Sequence, residues 1–217
     1  FIEFNADKGS KFKMNGKLIG GHSYTPFYEK YFSSYKNKSK LKVLEIGSLR
    51  GSATASFFYY FNNPEIFCAD INPFQIEVFS KKIRKLFLDT QSKESISNLS
   101  SFIDEEFDII IDDGSHNIKD QIVTLNILFR NLKRNGVYVI EDASQYLAMK
   151  NLNQDNLAYG AKEILFSVIK NDKSKIKYLQ QDDVKKLRNE IKKIYIEKGI
   201  YTQNQINISE IIFIEKS

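Results

Sequence analysis

What most constrains the fold of this 217-residue chain is a regular alternation of short apolar runs, each the length of one strand, with stretches of helical spacing. "LKVLEIG" (41–47) reads as a strand ending in a glycine turn, and "SATASFFYYF" after it as a helix that Ser52 can cap. "EIFCADI" (65–71) is a second strand, and "PFQIEVFSKKI" begins a helix with proline in its first turn. "KLFLD" (85–89) is a third strand, "SKESISNLSSF" a short helix and "FDIIIDD" (107–113) a fourth strand. Ile122, Leu125, Leu128, Phe129 and Leu132 then recur at helical spacing, and "NG" opens a fifth strand, "VYVIED" (137–142). A further helix falls near 157–169, and the final "EIIFIEK" reads as an edge strand paired with "KIYIEKG". The sixth strand lies somewhere in 172–199, with no single segment favoured. Repeated βα units imply an α/β fold with a doubly wound, mostly parallel, seven-stranded sheet and an antiparallel C-terminal strand.

The length suits one α/β domain with a full core and not two. The expected organisation is a single domain over 1–217, with 1–40 a helical cap over the active site and 41–217 a Rossmann-like core. Hydrophobic content of 42% and charged content of 27% are ordinary for a soluble protein. No apolar run approaches the ~20 residues of a membrane span. The single cysteine, Cys68, lies in an apolar run, which excludes an internal disulfide and suits a reducing cytoplasm. The N-terminus has no initiator methionine and no signal-peptide pattern, so a trimmed cytoplasmic protein is expected. The net charge of +5 comes from lysines in "KKIRK", "KNDKSKIK" and "KKLRNEIKK", each in or beside an amphipathic pattern whose solvated face needs charge. No basic motif interleaved with aromatics accompanies them, which argues against nucleic acid as partner.

In open α/β sheets, ligands bind outside the carboxyl ends of the strands. Those ends carry Glu45, Gly47 and Ser48, then Asp70 and Asn72, then Gln91, then Asp112, Asp113 and His116, and finally Glu141 and Asp142. The acids gather on one rim. The turn "EIGSLRGSATAS" lets a ligand approach backbone closely, but it lacks the third glycine of the dinucleotide fingerprint. Asp70 is placed to accept hydrogen bonds from both ribose hydroxyls of a nucleoside. An acid at the first strand end with another at the second is the arrangement used for S-adenosylmethionine, the first acid facing its cationic amino acid end.

Asp113 and the pair Glu141 and Asp142 come from strand ends that are adjacent in the usual topology, and clustered carboxylates require a cation. Carboxylate-only ligation favours Mg²⁺, with Mn²⁺ suitable; zinc would recruit His or Cys. His116 lies three residues past Asp113. A neutral imidazole there suits a general base near neutral pH.

"VLEIGSLRGSA", "ADI", "FDIIIDDGSH", "GVYVIED" and the early "ADKGS…GHSYTPFYEKYF" together resemble the class I S-adenosylmethionine-dependent, Mg²⁺-dependent sugar O-methyltransferases of the mycinamicin and macrocin type. The resemblance covers roughly residues 7–146. It implies the Rossmann-like class I methyltransferase fold, with S-adenosylmethionine and Mg²⁺ (or Mn²⁺) as cofactors. It implies Asp113, Glu141 and Asp142 as metal ligands, and His116 with Asp113 as the catalytic pair. Glu45, Gly47, Ser48, Asp70, Asn72, Gln91 and Asp112 fall at cofactor positions, although Thr90 in "DTQS" stands where the family tends to have aspartate. The N-terminal segment would fold over the site and bring His22 and Tyr24 near the substrate, with Tyr146 beside them. The implied reaction is methyl transfer to a sugar hydroxyl, the sugar's vicinal diol binding the metal. A nucleotide-sugar or a precursor of bacterial surface polysaccharide, capsule or lipopolysaccharide, is the expected acceptor. No nucleic acid or membrane span is implied, and a homo-oligomer is among the assemblies the resemblance allows. The alternatives are a catechol-type or other small-molecule O-methyltransferase and, from another class, a nucleic-acid-modifying or nucleic-acid-binding protein, which would show steeply salt-dependent binding.

Overall fold

A computed structural model describes every residue of the chain except 2 and 105. It opens with an antiparallel hairpin of β1 (Lys11–Met14) and β2 (Lys17–Gly20). Asn15 and Gly16 form its two-residue turn at φ of 50° and 77°, the left-handed pair that matches the twist of the flanking strands. Helix α1 (Thr25–Phe32) follows, with Pro26 in its first turn. The segment expected as a helical cap is therefore built of a hairpin and one short helix.

The remaining elements are β3 (Lys42–Ile46), α2 (Ser52–Tyr60), β4 (Glu65–Asp70), β5 (Ile83–Phe87), α3 (Lys93–Phe102), β6 (Phe107–Asp112), α4 (Ile118–Leu128) and β7 (Leu132–Ile140). After them come α5 (Ala161–Lys170), α6 (Gln181–Glu190), β8 (Ile191–Lys198), a short ladder of β9 (Thr202–Gln203) with β10 (Ile206–Asn207), and β11 (Glu210–Lys216). Seven strands form one sheet in the order β5-β4-β3-β6-β7-β11-β8, parallel except for β11, which runs antiparallel to both neighbours. Side chains alternate between its faces. Leu44, Ile46, Ile110, Tyr138 and Ile140 meet α3 to α6, whereas Val43, Ile66, Ile109, Val139 and Phe213 meet the aromatic side chains of α1 and α2. Phe57 stands edge-on to Tyr28 across that second layer, with ring centroids 5.3 Å apart.

The doubly wound, seven-stranded expectation is met, with local corrections. "PFQIEVFSKKI" forms only a single 3₁₀ turn, Pro73–Gln75. Its backbone is used elsewhere: the Glu77 N–H donates to Arg50 C=O at 3.0 Å, and Val78 packs so near Gly51 that a Cβ there would lie 2.6 Å from it. Ser52 does not cap α2; Gly51 holds that position at φ 89°, a left-handed conformation that glycine adopts without penalty. The third strand starts two residues earlier than expected, at Ile83, and the fifth starts at Leu132 and carries "NG" within it. A register shift opposite Phe107 and Ile109, with Asn135 at φ 57°, marks a β-bulge there. "EIIFIEK" does pair with "KIYIEKG" (Ile212 opposite Ile196), but it is an interior strand and β8 is the edge. Burial of Glu210 to Ile214 reflects that position, and β8 is the sixth strand that the sequence left unassigned.

Candidate active site

The strand order reverses between β3 and β6, so the chain leaves the sheet in opposite directions from these two neighbours and opens a crevice at their carboxyl ends. Gly47 lines it at φ 79°, and a Cβ on that residue would lie 2.0 Å from the Asp113 carbonyl oxygen. Only glycine lets the two turns close together. The resulting cleft, of about 680 Å³, runs from Asp70 past Gly47 and Ser48 to Asp113, His116 and Asp142. A smaller recess of about 190 Å³ continues from Asp70 to Thr90 and Gln91.

At the β4 end, Asp70 faces both recesses. Its Oδ2 accepts from the Leu49 N–H at 2.8 Å, and its Oδ1 from the Asn72 N–H at 2.8 Å and from Gln75 Nε2 at 3.1 Å. A carboxylate has about four lone-pair sites, so one acceptor site remains free and a second opens if the Gln75 side chain swings away. Asn72 contributes through its amide; its side chain is not part of either recess wall.

Glu45 is not at the cleft surface. Strand alternation places it on the α2 face with Val43, where Thr54 Oγ1 donates to its carboxylate. Burial, opposed by that hydrogen bond, pushes its pKa up to about 7. Asp112 is turned away as well, on the same sheet face as Ile110, where Tyr138 Oη donates at 3.2 Å and the Gly114 N–H donates at 3.2 Å. Its carboxyl is likewise raised to about 7 by burial. The single-residue step from Asp112 to Asp113 is thus a step from one face to the other. Tyr146, expected near the substrate, packs over Gly160 at the start of α5 and lies outside the cleft.

At the other end the three expected acids do come together, each held by the N-terminal segment. Lys8 Nζ pairs with the Asp113 carboxylate and lies 2.8 Å from Glu141 Oε2 and 3.4 Å from Asp7 Oδ1. Tyr28 Oη donates to Glu141. Tyr24 Oη donates to Asp142 Oδ1 at 2.6 Å, His22 Nδ1 stands 3.0 Å from the same oxygen, and Gln145 Nε2 donates to Oδ2 at 2.7 Å. His22 lines the cleft, whereas Tyr24 is wholly buried and its hydroxyl is committed to Asp142. Lys8, Tyr28 and Gln145 were not foreseen from sequence. The lysine within "ADKGS" and the tyrosine within "YTPFYEKYF" were visible, but nothing local marks their partners, which lie more than a hundred positions away.

The electrostatics follow from burial in a shared low-dielectric site. Burial, reinforced by repulsion from Asp113, pushes Glu141 well above the usual carboxylate range, and burial also raises Asp113. Burial alone would raise Asp142 too, but the hydrogen bond and charge of His22 outweigh it and hold Asp142 at about 2. Burial works against charge on Lys8; Asp113, Asp7, Glu141 and Asp142 together outweigh it and keep the ammonium well above its ordinary value. Two buried basic groups, Lys8 and His22, face the buried Glu141 and Asp142 and the part-exposed Asp113, and a further cation is electrostatically welcome.

Asp113, His116 and Asp142 each offer a ligand atom, all within 4.8 Å of one another, so a divalent ion fits among them. Glu141, expected as the third carboxylate ligand, falls outside that set, its carboxylate being engaged by Lys8 and Tyr28, which leaves Asp113 and Asp142 as the carboxylates able to hold an ion and His116 as a base beside them. His116 Nε2 lies 3.9 Å from Asp113 Oδ1, and its Nδ1 is buried without a hydrogen-bond partner. Its backbone is left-handed at φ 56°, as is that of Asp142 at 53°, a conformation uncommon for residues other than glycine and often retained at functional sites.

Residues 37–199 match the family model described as a methyltransferase domain. The chain belongs to this family. Demethylmacrocin O-methyltransferase of Streptomyces fradiae is 29% identical over 128 residues, covering 56% of this chain and 32% of that protein. Mycinamicin VI 2''-O-methyltransferase of Micromonospora griseorubida is 30% identical over 128 residues, covering 56% and 31%. The aligned stretch thus covers about a third of the length of these curated relatives. The solved structure of the MycE methyltransferase from the mycinamycin biosynthetic pathway, in complex with Mg and SAH, superposes with a TM-score of 0.69. That match covers 99% of this chain and 52% of MycE at 21% identity, and it shows a shared Rossmann-like fold. Among the described residues no helix is long and apolar enough to cross a membrane.

Proposed function

We propose that this methyltransferase domain transfers the methyl group of S-adenosylmethionine to a sugar hydroxyl, with a divalent cation on the acidic rim. The observation that carries the reading is the meeting of Asp113, His116 and Asp142 beside the glycine turn of β3, in one cleft with Asp70. The name of a further relative supports the class of acceptor: the 8-demethyl-8-alpha-L-rhamnosyl tetracenomycin-C 2'-O-methyltransferase of Streptomyces olivaceus, 28% identical over 130 residues, is named for a rhamnosyl compound.

In this reading Asp70 receives the ribose hydroxyls on its free acceptor site and on the one that Gln75 vacates. Gly47 and Ser48 let the cofactor lie against backbone, and Gln91 closes the smaller recess. Asp113 and Asp142 hold the cation, Mg²⁺ or Mn²⁺ by their hard oxygen donors. When bound, the ion supplies Lewis acidity that lowers the pKa of an acceptor hydroxyl. His116, whose Nε2 lies 3.9 Å from Asp113 Oδ1, accepts the hydroxyl proton on that nitrogen and retains it while the oxygen is methylated. His22 lines the acceptor side of the cleft.

The finer reading is a sugar carrying phosphate, as in a nucleotide-linked precursor of a bacterial surface polysaccharide. Lys13 of β1 and Arg50 line the cleft wall, and the stretch from Lys8 to Tyr28 contains lysines but no acid. Lys13 offers the phosphate a counter-charge; Arg50 is already paired with Glu77. Methyl transfer from labelled S-adenosylmethionine to a panel of nucleotide-sugars, free glycosides, catechols and RNA separates these acceptors. Methylation of sugars supports the reading; transfer confined to catechols or RNA contradicts it.

A further inference from the structure

We propose that Lys8 is the resident counter-ion of the acidic rim, and that a divalent cation competes with it for Asp113. The inference rests on the metal-dependent reading above, and it concerns what fills the carboxylate cluster when the metal is absent. The Lys8 side chain is only 4% exposed; its ammonium donates to Asp113 and lies within ion-pair distance of Glu141 and Asp7. Nothing basic other than His22 and His116 shares the cluster among the described residues. Lys8 therefore neutralises the acids that a metal would neutralise.

It is also fixed from behind. The Lys8 carbonyl accepts from the Tyr24 N–H at 2.8 Å, the Asp7 carbonyl from the His22 N–H at 2.7 Å, and Gly21 lies so close that a Cβ there would meet the Gly9 carbonyl oxygen at 2.2 Å. These contacts form the stem from which the β1–β2 hairpin projects, and Phe12, Met14 and Asn15 of that hairpin line the cleft. An ammonium anchored in this way cannot withdraw without disturbing the stem. A dication at Asp113 would sit beside a like charge, and at this range the repulsion is large even with generous screening. Lys8 thus weakens metal binding, holds the carboxylates in place without metal, and ties the cation to the hairpin wall of the acceptor site.

The test is calorimetric titration of Mg²⁺ into chelator-treated wild-type protein and into Lys8→Met, with thermal melting of both. Lys8→Met should bind Mg²⁺ at least about tenfold more tightly. Its metal-free form should melt lower than the wild type, and Mg²⁺ should raise its midpoint by more. Lys8→Arg, which keeps the charge, should bind Mg²⁺ no more tightly than wild type. If the wild type binds Mg²⁺ and Lys8→Met binds it no better, this inference is overturned while the metal-dependent reading stands. If the wild type binds no divalent ion, with or without S-adenosylmethionine, both fall. A measurement on the wild type covers the case in which Lys8→Met does not fold. Reductive methylation read by peptide mass spectrometry should label Lys8 several-fold faster with saturating Mg²⁺ than without, relative to exposed Lys17. Unchanged labelling also overturns the proposal.

Discussion

At one end of the crevice Asp70 is held by the amides of Leu49 and Asn72, 21 and 2 positions away, both in turns that follow neighbouring parallel strands. At the other end Asp113, Glu141 and Asp142 are held by Lys8, Tyr28 and Tyr24, which lie 105, 113 and 118 positions earlier in the chain. The first arrangement is a property of the sheet's own turns and exists as soon as β3 and β4 pair. The second exists only when the N-terminal segment is docked. The nucleoside end of the site is therefore built in, whereas the acidic end is conditional on residues 7–28, and the two should respond differently to mutation, pH and metal.

The largest expected effect is at the acidic end. His116→Ala should lower turnover by about 10²–10⁴ while leaving S-adenosylmethionine affinity intact, the usual size of a general-base contribution. Wild-type turnover would reduce His116 to a structural residue with an unusual backbone. At the other end, Asp70→Ala should weaken cofactor binding by about ten- to a hundredfold, the equivalent of ~1.5–3 kcal/mol. Calorimetry giving wild-type cofactor affinity would remove Asp70 from the ribose. Opposite outcomes, with His116→Ala losing the cofactor and Asp70→Ala retaining it, would invert the comparison.

Smaller effects test the docking itself. Tyr24→Phe removes one buried hydrogen bond to a carboxylate and should cost about 1.5–3 kcal/mol in denaturant unfolding without metal. No change in midpoint would mean that the N-terminal segment does not depend on this contact. The smallest effect is a pH dependence. Burial lowers the His22 pKa, but the hydrogen bond and charge of Asp142 outweigh it and leave it raised. A raised base contributes stability that is fully present below its unfolded value, about 6.5, and is lost as pH climbs through the folded value. Above pH ~6.5 the wild type should therefore lose more stability than His22→Gln, and the two curves should converge at alkaline pH. Glu45 and Asp112, both near 7, titrate in the same range but equally in both proteins, so the difference isolates His22. Parallel curves would show that His22 is not charged against Asp142.

How much of this was legible in the sequence divides along the same line. Strand identity and the rim of acids could be read because apolar runs and glycine turns are local signals, and the parallel sheet aligns their ends. The 73–83 segment misled because proline before an apolar pattern marks a helix start, while Glu77 and Val78 are engaged by the turn after β3. Glu45 and Asp112 were assigned to the cofactor from their strand-end positions and the family resemblance, neither of which says which way a side chain faces. A one-residue difference in facing, which register decides and composition does not, buries both. Lys8 escaped notice because its role depends on a tertiary contact across 105 residues, and the local string "DKGS" reads equally well as an exposed loop.

The dependence of methyl transfer on a divalent cation tests the central claim most directly. With S-adenosylmethionine and an accepted sugar, chelation should abolish transfer and added Mg²⁺, or Mn²⁺ in its place, should restore it. Chelator-treated protein that keeps full activity on that same acceptor would contradict the metal-dependent reading, leaving Asp113, Glu141 and Asp142 as acids that serve only to dock the N-terminal segment.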